Sequence, residues 1–167
     1  LQMMIVSGGF TYLLSFMRKR KVSKAVRIIS LLYFALFPVI VMFTLCSAKD
    51  AIFTVALLLL LLSLLDMGSD RETFFASWTK MAFFVLSATA MMLFRKNGVY
   101  AFAVMALILL FYHKHYLKRI GLLLAAAFCS YFLITAGLTT VLHAEGGGKQ
   151  EMLTVPIQQL ARTYKFN

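Results

Sequence analysis

Six apolar runs joined by very short polar connections constrain this chain more than any other feature. They occupy residues 1–17, 28–46, 51–65, 81–94, 99–112 and 120–142. A soluble domain is roughly half apolar. Here 62% of the 167 residues are hydrophobic, only 14% are charged, and the mean hydropathy is +0.86. This is the composition of an integral membrane protein, with the lipid bilayer as its first partner. All six runs are expected to be helical, because lipid offers no water to satisfy an open backbone. The expected fold class is therefore all-α: a polytopic transmembrane bundle of about six apolar helices, followed by a C-terminal amphipathic interfacial helix. Residues 1–142 form the bundle in this reading, and 143–167 an outward-facing loop and amphipathic helix.

Run length adds detail. Residues 28–46 and 120–142 are long enough to cross a hydrocarbon core of about 30 Å. Residues 51–65 and 99–112 fall short at about 1.5 Å per residue. Those two helices either carry Lys49, Asp50 and residues 95–97 towards the membrane or borrow length from their polar flanks.

The chain has 17 Lys and Arg against 6 Asp and Glu. The cations sit between apolar runs instead of forming one patch, so topology explains them and nucleic acid is not an expected partner. Arg18, Lys19, Arg20, Lys21, Lys24, Arg27, Arg71, Lys80, Lys114, Lys118 and Arg119 fall on one side by alternation. Lys49, Arg95, Lys96, Lys149, Arg162 and Lys165 fall on the other. The basic side is cytoplasmic by the positive-inside rule. Residues 18–27, 66–80 and 113–119 are then cytoplasmic, and 47–50, 95–98 and 143–167 lie outside. The 66–80 connection, with Phe74, Phe75 and Trp78 behind its acids, reads as a solvated interfacial loop with an aromatic anchor.

Two very tight charged turns, Ser47-Ala48-Lys49-Asp50 and Arg95-Lys96-Asn97-Gly98, are squeezed between apolar runs. Ionised groups at the rim of a hydrocarbon slab need partners, which makes them candidates for a site. Asp50 stands at the start of a helix, where it would cap free amides, bind a metal or orient a polar substrate. Arg95 offers a planar fork suited to phosphate, Lys96 a compact charge, and Asn97 both donor and acceptor. Helix-end compensation by cations is the alternative for that turn, and Gly98 is expected to supply its backbone freedom.

After Gly146-Gly147-Gly148, Thr154 and Pro156 read as a helix start. Ile157, Leu160, Ala161 and Tyr164 then share one face, while Gln158, Gln159, Arg162 and Lys165 lie on the other or its borders, as in an interfacial helix. His113 and His115 point to different helical faces, and Cys46 and Cys129 read as small core residues. No soluble-enzyme fingerprint such as GxSxG or HExxH occurs. No basic leader precedes Leu1 and the amphipathic pattern stops partway, so the chain reads as part of a longer polytopic protein.

The motifs Ser47-Ala48-Lys49-Asp50-Ala51-Ile52-Phe53 and Phe94-Arg95-Lys96-Asn97-Gly98-Val99-Tyr100, followed by residues 151–162, carry a resemblance. The chain resembles a family of uncharacterised polytopic membrane proteins of Gram-positive bacteria, itself similar to GT-C glycosyltransferases. The resemblance implies a bacterial cytoplasmic-membrane location and transfer of a sugar from a polyprenyl-phosphate carrier on the outer face. It implies a main catalytic base upstream of Leu1, with further helices of the same protein as partners. Asp50 would be a secondary acid for metal or acceptor positioning, with a divalent metal as the candidate cofactor. Lys49, Arg95, Lys96 and Asn97 would bind the carrier phosphate side of the substrate, and Gln158, Gln159 and Arg162 an acceptor or lid surface. A transporter or flippase component for an anionic lipid or sugar, and a noncatalytic membrane subunit, are the competing classes.

Overall fold

The structure, a computed structural model, describes residues 1–45, 49–112, 116–142 and 164. The chain divides into two compact units, residues 1–131 and 132–167. In the first, the helices are α1 (Gln2–Lys19), α2 (Lys24–Leu36), α3 (Pro38–Leu45), α4 (Lys49–Ser69), α5 (Arg71–Ala76), α6 (Trp78–Phe94) and α7 (Lys96–Tyr112). A last helix, α8 (Leu117–Leu142), starts in the first unit and supplies residues 132–142 of the second. No strand occurs among the described residues. The all-α expectation holds, while the C-terminal amphipathic segment lies outside the described residues.

The number of spanning helices differs from the expected six. Among the described residues two helices are long and apolar enough to cross a membrane, Lys49–Ser69 and Leu117–Val141. The described part of the 28–46 run, residues 28–45, is not the single long helix that its apolar length suggests. Pro38 lacks an amide hydrogen and crowds the residue before it out of the helical region. Phe37 accordingly adopts φ −70° and ψ 113°, which ends α2 and lets α3 start anew. Residues 51–65 change in the opposite sense, because α4 takes Lys49 and Asp50 into its first turn and runs on through Asp66 to Ser69. Borrowing length from the polar flanks is thus the option this helix takes.

The core of the first unit is built on α4, α6, α7 and α8. Leu60 and Met67 from α4, Phe84, Ala88 and Met91 from α6, Phe102 from α7, and Ile120 and Ala127 from α8 are almost wholly buried together. The Thr89 hydroxyl, itself buried, donates to the Ala127 carbonyl at 3.5 Å and ties α6 to α8. A smaller cluster of Val6, Ala51 and Val55 joins α1 to α4. Gly9 makes that approach close, since a Cβ there would stand 2.6 Å from a Val55 methyl.

Other expectations are corrected by this packing. Phe74 and Phe75, read as interfacial anchors, are core residues at 1% and 6% exposure, and only Trp78 is exposed. The 66–80 connection is mostly helix: Asp66 belongs to α4, and Asp70 caps α5 by accepting from the Thr73 amide at 3.2 Å. The Thr73 hydrogen bonds hold the Asp70 carboxyl below its usual range. Cys129 is exposed on α8 instead of buried, while Cys46 lies outside the described residues.

Candidate functional site

α4 and α6 run antiparallel, and each end of the pair is marked by an ion pair. At one end Asp50, in the first turn of α4, meets Arg95, the residue that follows α6, with 3.7 Å between Nη1 and Oδ1. Arg95 also stands over the Phe53 ring, 5.5 Å from its centroid. Phe53 is one helical turn beyond Asp50, so the first turns of α4 present a carboxylate and an aromatic face to one guanidinium. The two charged turns of the sequence are therefore brought together through these two residues.

The local structure explains how Arg95 reaches this place. Its backbone is extended, at φ −146° and ψ 125°, so α6 stops sharply and α7 restarts at Lys96. The Gly98 amide donates to the Arg95 carbonyl at 2.8 Å and closes the turn. Gly98 does not take a positive φ. Glycine is needed here for closeness, since a Cβ would stand 2.6 Å from the Met91 carbonyl oxygen and 3.3 Å from the Met92 Cα. The expected role in backbone freedom is thus replaced by one in helix-to-helix approach.

Both members of the pair stay about half exposed, Arg95 at 51% and Asp50 at 47%. An exposed pair in water contributes about 0–1 kcal/mol, too little to hold a fold. Its interest is chemical. A guanidinium has five N–H donors and one carboxylate engages at most two, so donors remain for a phosphate or hydroxyl oxygen. Asp50 also lines a cavity of about 390 Å³ whose other walls include Val6, Phe10, Phe34, Val39 and Leu58. An apolar cavity with charge at its edge suits an amphiphile better than a small polar metabolite.

The remaining expected site residues are placed as follows. Lys49 opens α4 and is exposed, and Asn97 is exposed in the first turn of α7. Lys96 begins α7. Gln158, Gln159 and Arg162 lie outside the described residues, as do Ser47, Ala48, His113 and His115. No group of three or more His, Cys, Asp or Glu side chains comes together among the described residues. Asp50 is paired with Arg95 and has no such co-ligands among the described residues.

The opposite end of the α4–α6 pair holds a cluster that sequence reasoning passed over. Asp66 accepts from Lys80 at 2.7 Å and from Arg20 at 3.2 Å, and Arg20 also donates to the Leu65 carbonyl at 3.3 Å. Arg20 lies over the Phe16 ring at 5.2 Å. Tyr12, Ser63 and Thr79 line a cavity of about 210 Å³ beside Asp66 and Lys80. An acid closing a leucine run, with a cation just ahead of the next apolar run, was the available signal.

A family model described as a family of unknown function (DUF6020) matches residues 1–167, the whole chain. No curated protein and no solved structure matches it.

Proposed function

We propose, for a chain that belongs to the DUF6020 family of unknown function, a role as the carrier-binding part of a membrane glycosyltransferase of GT-C type. In this reading the chain crosses a bacterial cytoplasmic membrane several times, with Asp50 and Arg95 on the outer rim. The observation that carries it is that Asp50, which lines an apolar cavity, meets Arg95. A polyprenyl phosphate has the same division, a long apolar chain ending in an anion.

The chemistry follows from the residue types. The acceptor hydroxyl attacks the anomeric carbon, a new carbon–oxygen bond forms, and the bond to the carrier phosphate breaks with its electron pair going to the phosphate oxygen. Arg95, with Lys96 on the same turn, would stabilise the charge that develops on that oxygen. Asp50 would hold the guanidinium fork in place and orient the acceptor, and a general base takes the hydroxyl proton.

The test is sugar transfer from a labelled polyprenyl-phosphate donor by the full-length protein in membranes. Arg95→Ala is expected to lower the rate by about a hundredfold or more, as loss of one preorganised donor does, with membrane insertion unchanged. Arg95→Lys should retain part of the rate. Wild-type transfer that survives Arg95→Ala would remove Arg95 from the site. A wild type that binds the donor without turnover would favour the transporter class.

A further inference from the structure

The basic end of the first unit contains a cationic cavity that the transferase reading does not use. α1 closes through Lys21, which adopts φ 56°. The Val22 amide donates to the Met17 carbonyl and the Lys21 amide to the Arg18 carbonyl, both at 3.0 Å. These are the paired bonds that end a helix through a left-handed residue. The chain reverses within this turn, and α2 starts at Lys24 under a Ser23 cap.

As a result, Arg18 from α1 and Lys24 and Arg27 from α2 line one cavity of about 350 Å³, together with Ser15, Leu14 and Leu31. None of the three cations forms an ion pair with a described residue. The Arg27 Nε is buried and has no hydrogen-bond partner among the described residues. A buried guanidinium N–H without an acceptor is destabilising, and an anionic oxygen is the group that satisfies it best. Below the cations the surface turns apolar. Thr11, Leu14 and Leu31 also line a second cavity, of about 320 Å³, whose walls include Phe10, Phe34 and Val41. α2 buries none of its residues, and Ile29, Leu32 and Leu36 are exposed along it.

We propose that the two cavities form one trough that binds an anionic phospholipid, with the phosphate between Arg18, Lys24 and Arg27 and one acyl chain along Leu14 and Leu31. A free phosphate would use only the basic cavity, whereas a phospholipid uses both cavities. The charge complementarity and the change from cationic to apolar wall along one trough favour the lipid over a protein partner.

Native mass spectrometry of the purified full-length protein, titrated with phosphatidylglycerol, tests this. Arg18→Gln combined with Arg27→Gln is expected to weaken binding by roughly tenfold or more, given the attraction each cation supplies near an anionic headgroup. Leu31→Trp, on a half-exposed position, keeps every charge and should weaken binding by filling the trough. It carries the test alone if the charge variant does not fold. Lys118→Gln with Arg119→Gln, exposed cations on α8, should leave binding unchanged. Equal loss in that control, or no loss in the Arg18 and Arg27 variant, would overturn the proposal. Displacement of the lipid by millimolar inorganic phosphate would make a free anion the ligand. A dimer that persists without lipid and is lost in Leu31→Trp would give the trough to a second copy of the chain.

Discussion

Gly98→Ala is expected to destabilise the first unit, although alanine is the better helix former. Gly98 lies in the first turn of α7, and an alanine in a helix gains about 0.8–1 kcal/mol over glycine. Against this stands a new methyl 2.6 Å from the Met91 carbonyl oxygen and 3.2 Å from the Met91 carbonyl carbon. Those atoms belong to the backbone of α6, so no flexible side chain can swing aside. Overpacking of this kind costs about 1–3 kcal/mol, and here α6 and α7 must separate where Phe84 packs near Phe102. The clash outweighs the propensity gain, and Gly98→Val, with a branched side chain and no propensity benefit, should be worse. Thermal unfolding of the purified protein in detergent should show midpoints falling in the order wild type, alanine, valine. An alanine variant as stable as wild type would mean that the two helices do not approach this closely. Because the same turn carries Arg95, the valine variant should also impair any function of that residue.

Asp66→Ala should have an effect of similar size for a different reason. The Asp66 side chain is 18% exposed and the Lys80 side chain 23%, so the pair is largely withdrawn from water. Removing the acid leaves Lys80 without its 2.7 Å partner and Arg20 without its 3.2 Å partner. Breaking a buried pair costs about 3–5 kcal/mol. With some solvent access at both partners, roughly 2–3 kcal/mol is expected by the same reasoning. Asp66→Leu combined with Lys80→Met should recover part of the loss, since it removes the stranded Lys80 charge, while the more exposed Arg20 still lacks its partner. A double-mutant cycle on thermal or denaturant stability measures this coupling. Additive losses would show that Asp66 and Lys80 act independently.

The helical class was legible in the sequence, because apolar run length is a local property. Asp50 and Arg95 could be singled out for their awkward setting. Their meeting follows from the antiparallel packing of α4 on α6, which no short stretch encodes. Pro38 shows how run length can mislead: its apolar neighbours suggest a span, while its ring breaks the helix at Phe37. Asp66 shows the converse. An acid at the end of a leucine run looks like the first residue of a loop, and only the approach of Arg20 and Lys80 makes it a clamp. Phe74 and Phe75 were misassigned for the same reason, since aromatic residues near charges suit an interface or a core equally well until α5 is seen to fold inward.

The two ion pairs of α4 have one more consequence. Asp50 and Asp66 lie about 24 Å apart along the helix axis at 1.5 Å per residue, and each is tied to a cation at the matching end of α6 or beside it. In the membrane reading proposed above, this pair of helices acts as a ruler of fixed length. The hydrocarbon region of an average bilayer is about 30 Å thick, so the ruler is several ångströms short. Tilting would shorten it further. In that reading the lipid around α4 and α6 would thin, or the charged flanks would reach out to the headgroups, and the protein would partition towards membranes with shorter acyl chains. Hydrophobic mismatch, set by two carboxylates, would then decide where in a membrane the molecule resides.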